Sequence, residues 1–289
     1  MKTKLSRFSV PYVVWMGIFV VAPIIIMVIY AFSNGEGGFT WDNFAQMGAY
    51  GSVFLRSFKL ALIATAICLL VGYPVSYLLS REGASFQRIA MVLIMLPMWM
   101  NFLLRTYSWM TILENNGLLN QLFQKLGIIA LYNNITGSEI EYFSMIGTQG
   151  AVVLGMVYNY LPFMILPIFS VIDKLDHKYI EAAQDLGANK RETFRRVIFP
   201  LSLPGVLSGV TMVFIPSIST FAISKLLGGG TEMLLGDLIE MQFLGNSYNP
   251  HLDAAISMVP TKTEASSPPL VLRMSFNSVL AGFVILLSP

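Results

Sequence analysis

The sequence predicts an all-α membrane protein, a polytopic bundle of hydrophobic helices. Of its 289 residues, 55% are hydrophobic and only 12% are charged, and the mean hydropathy is +0.66. A water-soluble domain carries about a quarter of its residues charged, so this composition excludes an ordinary soluble enzyme. The apolar residues also form runs of about 20, which are too long for barrel strands and fit membrane-spanning helices.

Five apolar runs are long enough to cross a hydrocarbon core of about 30 Å. The predicted spans are residues 10–32, 60–79, 89–113, 151–171 and 201–222. The first run is too long for the apolar stretch of a secretory signal and lacks a clear small-residue cleavage site. We therefore interpret it as a retained first helix.

Lysine and arginine residues concentrate in alternate connections between the spans, which predicts the orientation. One set of connections contains Lys2, Lys4, Arg7, Arg81, Arg88, Lys174, Lys178, Lys190, Arg191, Arg195 and Arg196. The other set contains Arg56, Lys59, Lys125 and Lys225. Since the richer set is expected inside, the amino terminus is predicted to be cytoplasmic, with residues 33–59, 114–150 and 223–251 outside.

The longest predicted inner connection, residues 173–199, has the pattern of two short helices separated by a bend. Asp176 is a candidate N-cap for the first helix. Gly187 can adopt the left-handed conformation that ends a helix. Asn189 followed three residues later by Glu192 forms a candidate capping box for the second helix.

The second short helix is predicted to be amphipathic. Phe194, Val197, Ile198 and Leu201 repeat at helical spacing, and Pro200 is expected to end this helix near the membrane. From these patterns alone, the segment fits two interpretations equally. It is either a docking surface for another protein or a solvated amphipathic linker.

A string in this connection resembles a known family motif. The string consists of Glu181, Ala182, Ala183, Gly187, Phe194 and Pro200. It resembles the EAA motif, E-A-A-x-x-x-G followed by a hydrophobic residue and a proline, of the permease subunits of bacterial ABC importers. The resemblance implies a type I permease (MetI-like) fold, in which these residues form coupling helices that seat in the ATP-hydrolysing subunit.

Within that family, four longer strings are similar to the spermidine/putrescine permeases of the PotB type. They cover residues 62–80, 96–127, 161–176 and 226–244, and the overall similarity extends over about 11–259. The resemblance implies import of polyamines by ATP-driven alternating access. It also implies a second permease of the PotC type, two PotA-type ATPases that bind ATP and Mg, and an external binding protein of the PotD type.

The chain itself shows no motif for catalysis, cofactor or metal binding. Gly228–Gly230 are followed by Thr231, Glu232 and Met233, without the lysine that a P-loop requires. His177 and His251 are isolated, which does not support a metal site or a catalytic triad. We therefore expect a non-catalytic membrane subunit, with nucleotide hydrolysis in another chain.

A polyamine path would use aromatic faces and polar groups, because none of the sixteen acidic residues lies in the middle of a span. The path candidates are Tyr73, Tyr77, Asn101, Tyr107, Tyr158, Asn159, Tyr160, Ser217 and Ser219. Ordinary helix–helix hydrogen bonding is the alternative role for each. Arg105 is expected to pair with a carbonyl or acid, or to contact the binding protein, rather than to meet a cation.

Three acidic residues follow the fifth predicted span on the expected outer side: Glu232, Asp237 and Glu240. They are candidates for attracting cations or contacting the binding protein. Solvated surface acids are the alternative.

The sequence divides into a permease domain at residues 1–259 and an atypical segment at 260–289. The resemblance implies an uninterrupted sixth span, whereas residues 260–269 read PTKTEASSPP, which cannot cross lipid as a helix. Residues 270–287 are apolar enough for a marginal span. We hypothesise a shifted reading frame or an altered carboxyl terminus near Val259, which translation of the other two frames of the gene would test.

Three other functions remain open on sequence grounds. A permease of the same family could import another small solute, such as sulfate, iron or thiamine. An ion-coupled secondary transporter would need intramembrane charges, glycine-broken paired segments or an internal repeat, and a membrane-embedded enzyme would need a buried catalytic group. The sequence shows none of these features. The resemblance implies a multi-pass importer subunit in a bacterial plasma membrane.

Overall fold

The computed structural model describes residues 14–34, 38–230, 233–244, 251–252 and 254–257. The described helices are α1 (Val14–Ala31), α2 (Asp42–Leu79), α3 (Ala84–Trp99), α4 (Phe102–Leu113), α5 (Leu118–Lys125), α6 (Ile128–Thr136), α7 (Gln149–Asp173), α8 (His177–Asp185), α9 (Lys190–Ile218), α10 (Ala222–Leu227) and α11 (Leu235–Leu244). Residues 251–252 and 254–257 are also helical. The all-α prediction is confirmed.

Four helices, α1, α2, α7 and α9, are each long and apolar enough to cross a membrane. They correspond to four of the five predicted spans. α2 begins at Asp42, earlier than predicted, and includes a tight turn at Met47–Tyr50 before Gly51–Leu79. At 38 residues, it is about 57 Å long by the rise of an α-helix, so it extends beyond a bilayer core of about 30 Å.

Residues 89–113, the third predicted span, do not form one continuous helix. The chain forms two helices instead, and α3 meets the following helical segment Phe102–Lys125 at 91°. Met100 adopts an extended backbone, and the Asn101 side chain accepts hydrogen bonds from the backbone N–H groups of Leu103 and Leu104. Asn101 therefore starts a new helix inside an apolar run, and the pair counts as a fifth span only if the bend is included.

The expectation that Pro200 ends a helix is also wrong, because α9 continues through it. Residues Phe194–Ile198 form a π-helical turn, in which the Phe199 N–H bonds to the carbonyl of Phe194. Pro200 consequently occupies the first turn of the α-helical part Phe199–Ile218. A proline is tolerated in the first turn of a helix, where its missing N–H would have no intrahelical partner.

The chain forms two compact units. In the unit that joins Met1–Ser52 to Ile239–Pro289, Ala31 lies in a small apolar core with Ala254 and Ala255. The Asn43 side chain donates hydrogen bonds to the carbonyls of Ala31 and Ser33, both at 3.0 Å. These contacts hold the end of α1 against the start of α2.

The second unit, Val53–Leu238, is organised around α7, which packs along α9. Gly205 and Gly209 of α9 form a G-x-x-x-G pattern that allows close approach. A Cβ at Gly205 would lie 2.9 Å from the Pro167 carbonyl oxygen, and one at Gly209 would lie 2.8 Å from the Met164 sulfur. The two helices therefore touch at distances that a larger residue would prevent.

Replacing Gly205 with alanine should destabilise the bundle by roughly 1–3 kcal/mol, since the added methyl overlaps a backbone oxygen. The apparent melting temperature of the detergent-solubilised protein measures this loss. Gly48→Ala is the matched control, because a Cβ at Gly48 meets nothing within 4 Å. Equal melting temperatures for the two variants would contradict the close packing of α7 and α9.

Candidate functional site

The segment with the family motif, residues 173–200 (the EAA segment), folds as two capped helices, as predicted. The Asp176 side chain accepts a hydrogen bond from the Lys178 N–H at 3.0 Å and starts α8. Asn189 accepts from the N–H groups of Arg191 and Glu192, while the Glu192 carboxylate accepts from the Asn189 N–H. This reciprocal capping box starts α9.

The bend between α8 and α9 explains the spacing of the motif. Gly187 has φ +84°, the left-handed conformation that glycine adopts without strain. Its N–H bonds to the Gln184 carbonyl at 2.8 Å, and the Ala188 N–H bonds to the Ala183 carbonyl at 3.0 Å. This pair of bonds is a Schellman motif, which places the glycine four residues after the second alanine.

One face of α8 is exposed and apolar. Tyr179 and Leu186 are 58% and 89% exposed, and Ala182, which shares their face at helical spacing, is also exposed. Ile180 points the other way and packs against the core of the second unit. Glu181 is exposed beside this apolar face, so the EAA segment offers apolar contacts bordered by charge.

The motif residue Phe194 lies against the cytoplasmic-side half of α2, as the predicted orientation defines it. Its ring centroid is 5.0 Å from that of Tyr77 and 5.9 Å from that of Tyr73. The Phe199 ring lies 5.7 Å from Tyr73. We refer to Tyr73, Tyr77, Phe194 and Phe199 as the aromatic cluster.

The nine path candidates do not form one site. Tyr73 and Tyr77 belong to the aromatic cluster, and Tyr158, Asn159 and Tyr160 are consecutive on α7. Asn101 caps α4, and Tyr107 is 47% exposed. Ser217 and Ser219 donate hydrogen bonds to carbonyls four residues earlier in their own helix, those of Val213 and Ile215.

The residues around Tyr160 form a polar group inside the bundle. The Tyr160 hydroxyl donates to the Pro216 carbonyl at 3.3 Å and also hydrogen-bonds with the Thr220 side chain. Asn159 is buried and donates to the Gly155 carbonyl at 2.9 Å. Its Oδ1 is also buried and has no hydrogen-bond partner among the described residues.

Arg105 lies next to this polar group and is 9% exposed. It lies near the phenol groups of Tyr158 and Tyr160, and its guanidinium carbon is 5.9 Å from the Phe102 ring centroid. Within the described part of the chain, its Nε and Nη1 atoms have no hydrogen-bond partner. The expected pairing with a carbonyl or acid therefore stays a prediction.

The three predicted outer acids have different surroundings. Asp237 is half-buried and accepts hydrogen bonds from the Ser224 hydroxyl and the Leu234 N–H, both at 2.9 Å. Glu240 is half-buried on α11, and Glu232 lies outside the described residues. Asp237 therefore holds the start of α11 against α10, a structural contact that the sequence did not indicate.

Sequence reasoning missed three contributors to these groups. Ser202 bonds to Tyr73, Thr220 bonds to Tyr160, and the Arg81 guanidinium carbon lies 4.5 Å from the Tyr77 ring centroid. Small polar residues inside apolar helices give no signal of their partner, since serine and threonine there often bond only to their own backbone. The exposure of Leu186 could not be predicted from the sequence either, because it depends on how α8 packs against the rest of the chain.

A family model for the inner membrane component of binding-protein-dependent transport systems matches residues 69–288. The chain belongs to this family. It is a permease of the ABC importer class and a multi-pass membrane protein, with the MetI-like fold. The matched range runs through the segment after residue 259, which lies outside the described residues, and the expected altered carboxyl terminus stays a prediction.

The similarity of this chain to curated relatives extends well beyond the EAA motif. The chain is 37% identical over 238 residues to the spermidine/putrescine transport system permease protein PotB of Salmonella typhimurium, covering 80% of this chain and 79% of the relative. It is 36% identical over 238 residues to PotB of Escherichia coli, covering 80% and 83%. It is also 28% identical over 210 residues to the permease protein YdcU of Escherichia coli, covering 72% and 66%.

Solved structures share the fold. One chain of a bacterial alginate ABC transporter in complex with an alginate pentasaccharide-bound periplasmic protein matches with a TM-score of 0.67 at 16% identity, covering 95% of this chain and 92% of that chain. A second structure of a bacterial alginate importer matches with a TM-score of 0.62, also at 16% identity, covering 94% and 95%. At this identity the likeness concerns architecture alone.

Replacing Gly187 with alanine should loosen the bend of the EAA segment by roughly 1–2 kcal/mol, the cost of the left-handed conformation for an L-residue. Amide hydrogen exchange at residues 187 and 188 should become about 5- to 30-fold faster. Gly83→Ala is the control, since neither glycine has a neighbour within 4 Å but Gly83 has φ −66°. Unchanged exchange in Gly187→Ala would contradict this account of the bend.

Proposed function

We propose that the chain is a membrane-spanning subunit of a bacterial importer for polyamines, spermidine and putrescine, driven by ATP that partner subunits hydrolyse. Similarity to PotB over most of the chain supports the substrate class. The single observation that carries the mechanism is the EAA segment itself. It presents an exposed apolar face on a rigid, doubly capped bend at the start of a spanning helix.

The exposed face of α8 is suited to docking into a cleft of an ATPase. Leu186 and Tyr179 would otherwise expose apolar area to water, and burying a leucine side chain stabilises a contact by about 1.5–3 kcal/mol. Glu181 is exposed beside this face and would help to orient the partner. An ATPase that closes on ATP and Mg would then move α8 as a unit.

The proposed assembly contains a second permease of the PotC type, two ATPases of the PotA type and an external polyamine-binding protein of the PotD type. The chain would lie in the bacterial plasma membrane with its amino terminus and EAA segment in the cytoplasm, as the distribution of lysine and arginine favours. ATP and Mg would bind to the ATPases. This chain would hold no cofactor and catalyse no reaction.

The path through this subunit is proposed to attract polyamines only weakly. The polar group on α7 provides aromatic faces at Tyr158 and Tyr160, which suit an ammonium group. Beside them lies the buried Asn159, whose Oδ1 has no hydrogen-bond partner among the described residues. Arg105 beside them opposes long residence of a polycation. Tight selection would then take place in the binding protein, and the membrane subunits would only let the substrate pass.

Reconstitution with the three partner types tests the substrate. Proteoliposomes are prepared with the four kinds of subunit, with the ATPases facing the vesicle interior and the binding protein outside. They should accumulate radiolabelled spermidine or putrescine only when ATP is enclosed inside. Sulfate, iron and thiamine, each with its own binding protein, serve as the competing substrates. ATP-dependent uptake of one of these without polyamine uptake would assign the chain to another solute.

Leu186→Asp should weaken the docking of the ATPase, because a charge would replace the leucine directly after α8, which is 89% exposed. We expect co-purification of the ATPase and polyamine uptake to fall together, by about 10-fold or more for the loss of one buried leucine contact. Leu186→Met is the matched control and should retain both. Wild-type uptake by Leu186→Asp would contradict the docking role.

A further inference from the structure

The π-helical turn at Phe194–Ile198 changes which side chains of α9 share a face. In an α-helix, residues five apart point about 140° away from each other. The π-turn replaces this geometry with a hydrogen bond between residues five apart, here from the Phe199 N–H to the Phe194 carbonyl. Phe194 and Phe199 therefore face the same neighbour, which is Tyr73 on α2.

The contact with α2 is extensive and edge-to-face. Phe194 meets Tyr77 at an interplanar angle of 73° and Tyr73 at 86°, and such pairs are favourable beyond their buried area. Arg81 covers the Tyr77 ring with its guanidinium group at 4.5 Å. One aromatic side chain from the EAA segment is thus enclosed by two tyrosines of another spanning helix.

A buried hydrogen-bond chain fixes the same contact. The Ser202 hydroxyl donates to the Phe199 carbonyl at 2.8 Å, so the Tyr73 hydroxyl, 2.9 Å from Ser202 Oγ, donates to Ser202. Tyr73 and Ser202 are both buried, and hydrogen bonds in such surroundings are costly to break. The Tyr73 hydroxyl consequently holds α2 to α9 through this buried hydrogen bond.

We propose that Tyr73 and Tyr77 are positioning residues of the coupling mechanism rather than of the substrate path. Both rings pack against Phe194, so that movement of the EAA segment displaces α2 as well as α9. This inference rests on the proposed function, because it needs an ATPase that moves α8. The glycine contacts of α9 with α7 carry the same movement to a third helix, so all three helices shift together.

The test measures polyamine molecules imported per ATP hydrolysed in proteoliposomes containing the complete importer. Phe194→Leu should keep the ATPase bound and hydrolysing, while import per ATP falls by about 2- to 10-fold, as expected for losing an aromatic pair. The matched control is Phe123→Leu. Phe123 lies on α5, outside the three helices of the proposed path, and forms an edge-to-face pair with Phe143 at 5.9 Å, so its loss should leave import per ATP unchanged.

The hydrogen bond is tested separately by Tyr73→Phe, Ser202→Ala and the double variant, which keep the rings in place. Each single variant should lower import per ATP by about 2- to 10-fold, and the double variant should be no worse than either. If the Phe194→Leu variant fails to assemble with its partners, the Tyr73 and Ser202 variants test the inference on their own. Wild-type import per ATP in assembled Phe194→Leu, or in Tyr73→Phe, would overturn the inference.

These outcomes are distinguishable from failure of the proposed function. If the unmodified complex imports no polyamine, the proposed function is wrong, and this result does not depend on any variant. If Leu186→Asp releases the ATPase whereas Phe194→Leu retains it at unchanged import per ATP, docking is correct and transmission through the aromatic cluster is wrong.

Discussion

The continuity of α9 is the constraint on which the rest of the structure depends. This helix starts in the EAA segment at Lys190 and runs to Ile218 without a break, so displacement of one end must displace the other. Its glycines touch α7 too closely for independent sliding. A rigid connection of this kind makes an exposed segment and a hydrophobic bundle parts of one mechanical element.

The surroundings of the polar side chains fit a mechanical role. Several hydroxyls in the spans bond to carbonyls of their own helix, as Thr65 does with Ala61 and Ser76 with Gly72. Such hydrogen bonds tie these hydroxyls to their own helices and so contribute to the bundle itself. We infer that the bundle guides passage, while the energy and most of the selectivity come from the other subunits.

The features that sequence could predict are those fixed by local hydrogen bonding. Asp176, Gly187 and the Asn189–Glu192 pair were all readable, because caps and left-handed turns depend on residues within a few positions. The apolar spans were also predictable, because the length of an apolar run within one stretch of sequence indicates a membrane-spanning helix. The caps and the bend of the EAA segment were therefore predictable, whereas the continuation of α9 through Pro200 was not.

The remainder depends on contacts between distant parts of the chain. Asn101 breaks the third predicted span, but an asparagine in an apolar run is equally common as a helix-packing residue. Tyr73 meets Ser202 across 129 positions, and no pattern within either helix reveals this pairing. The π-turn is similarly set by what Phe194 and Phe199 pack against, so it was not foreseen.

Contact between α8 and the ATPase is the central claim, and photo-cross-linking in the assembled importer tests it most directly. A benzophenone side chain at position 186 should cross-link to the ATPase, whereas one at Ile135, which is 75% exposed on α6, should not. Position 186 failing to cross-link to the ATPase in both the nucleotide-free and ATP-bound states would contradict the account.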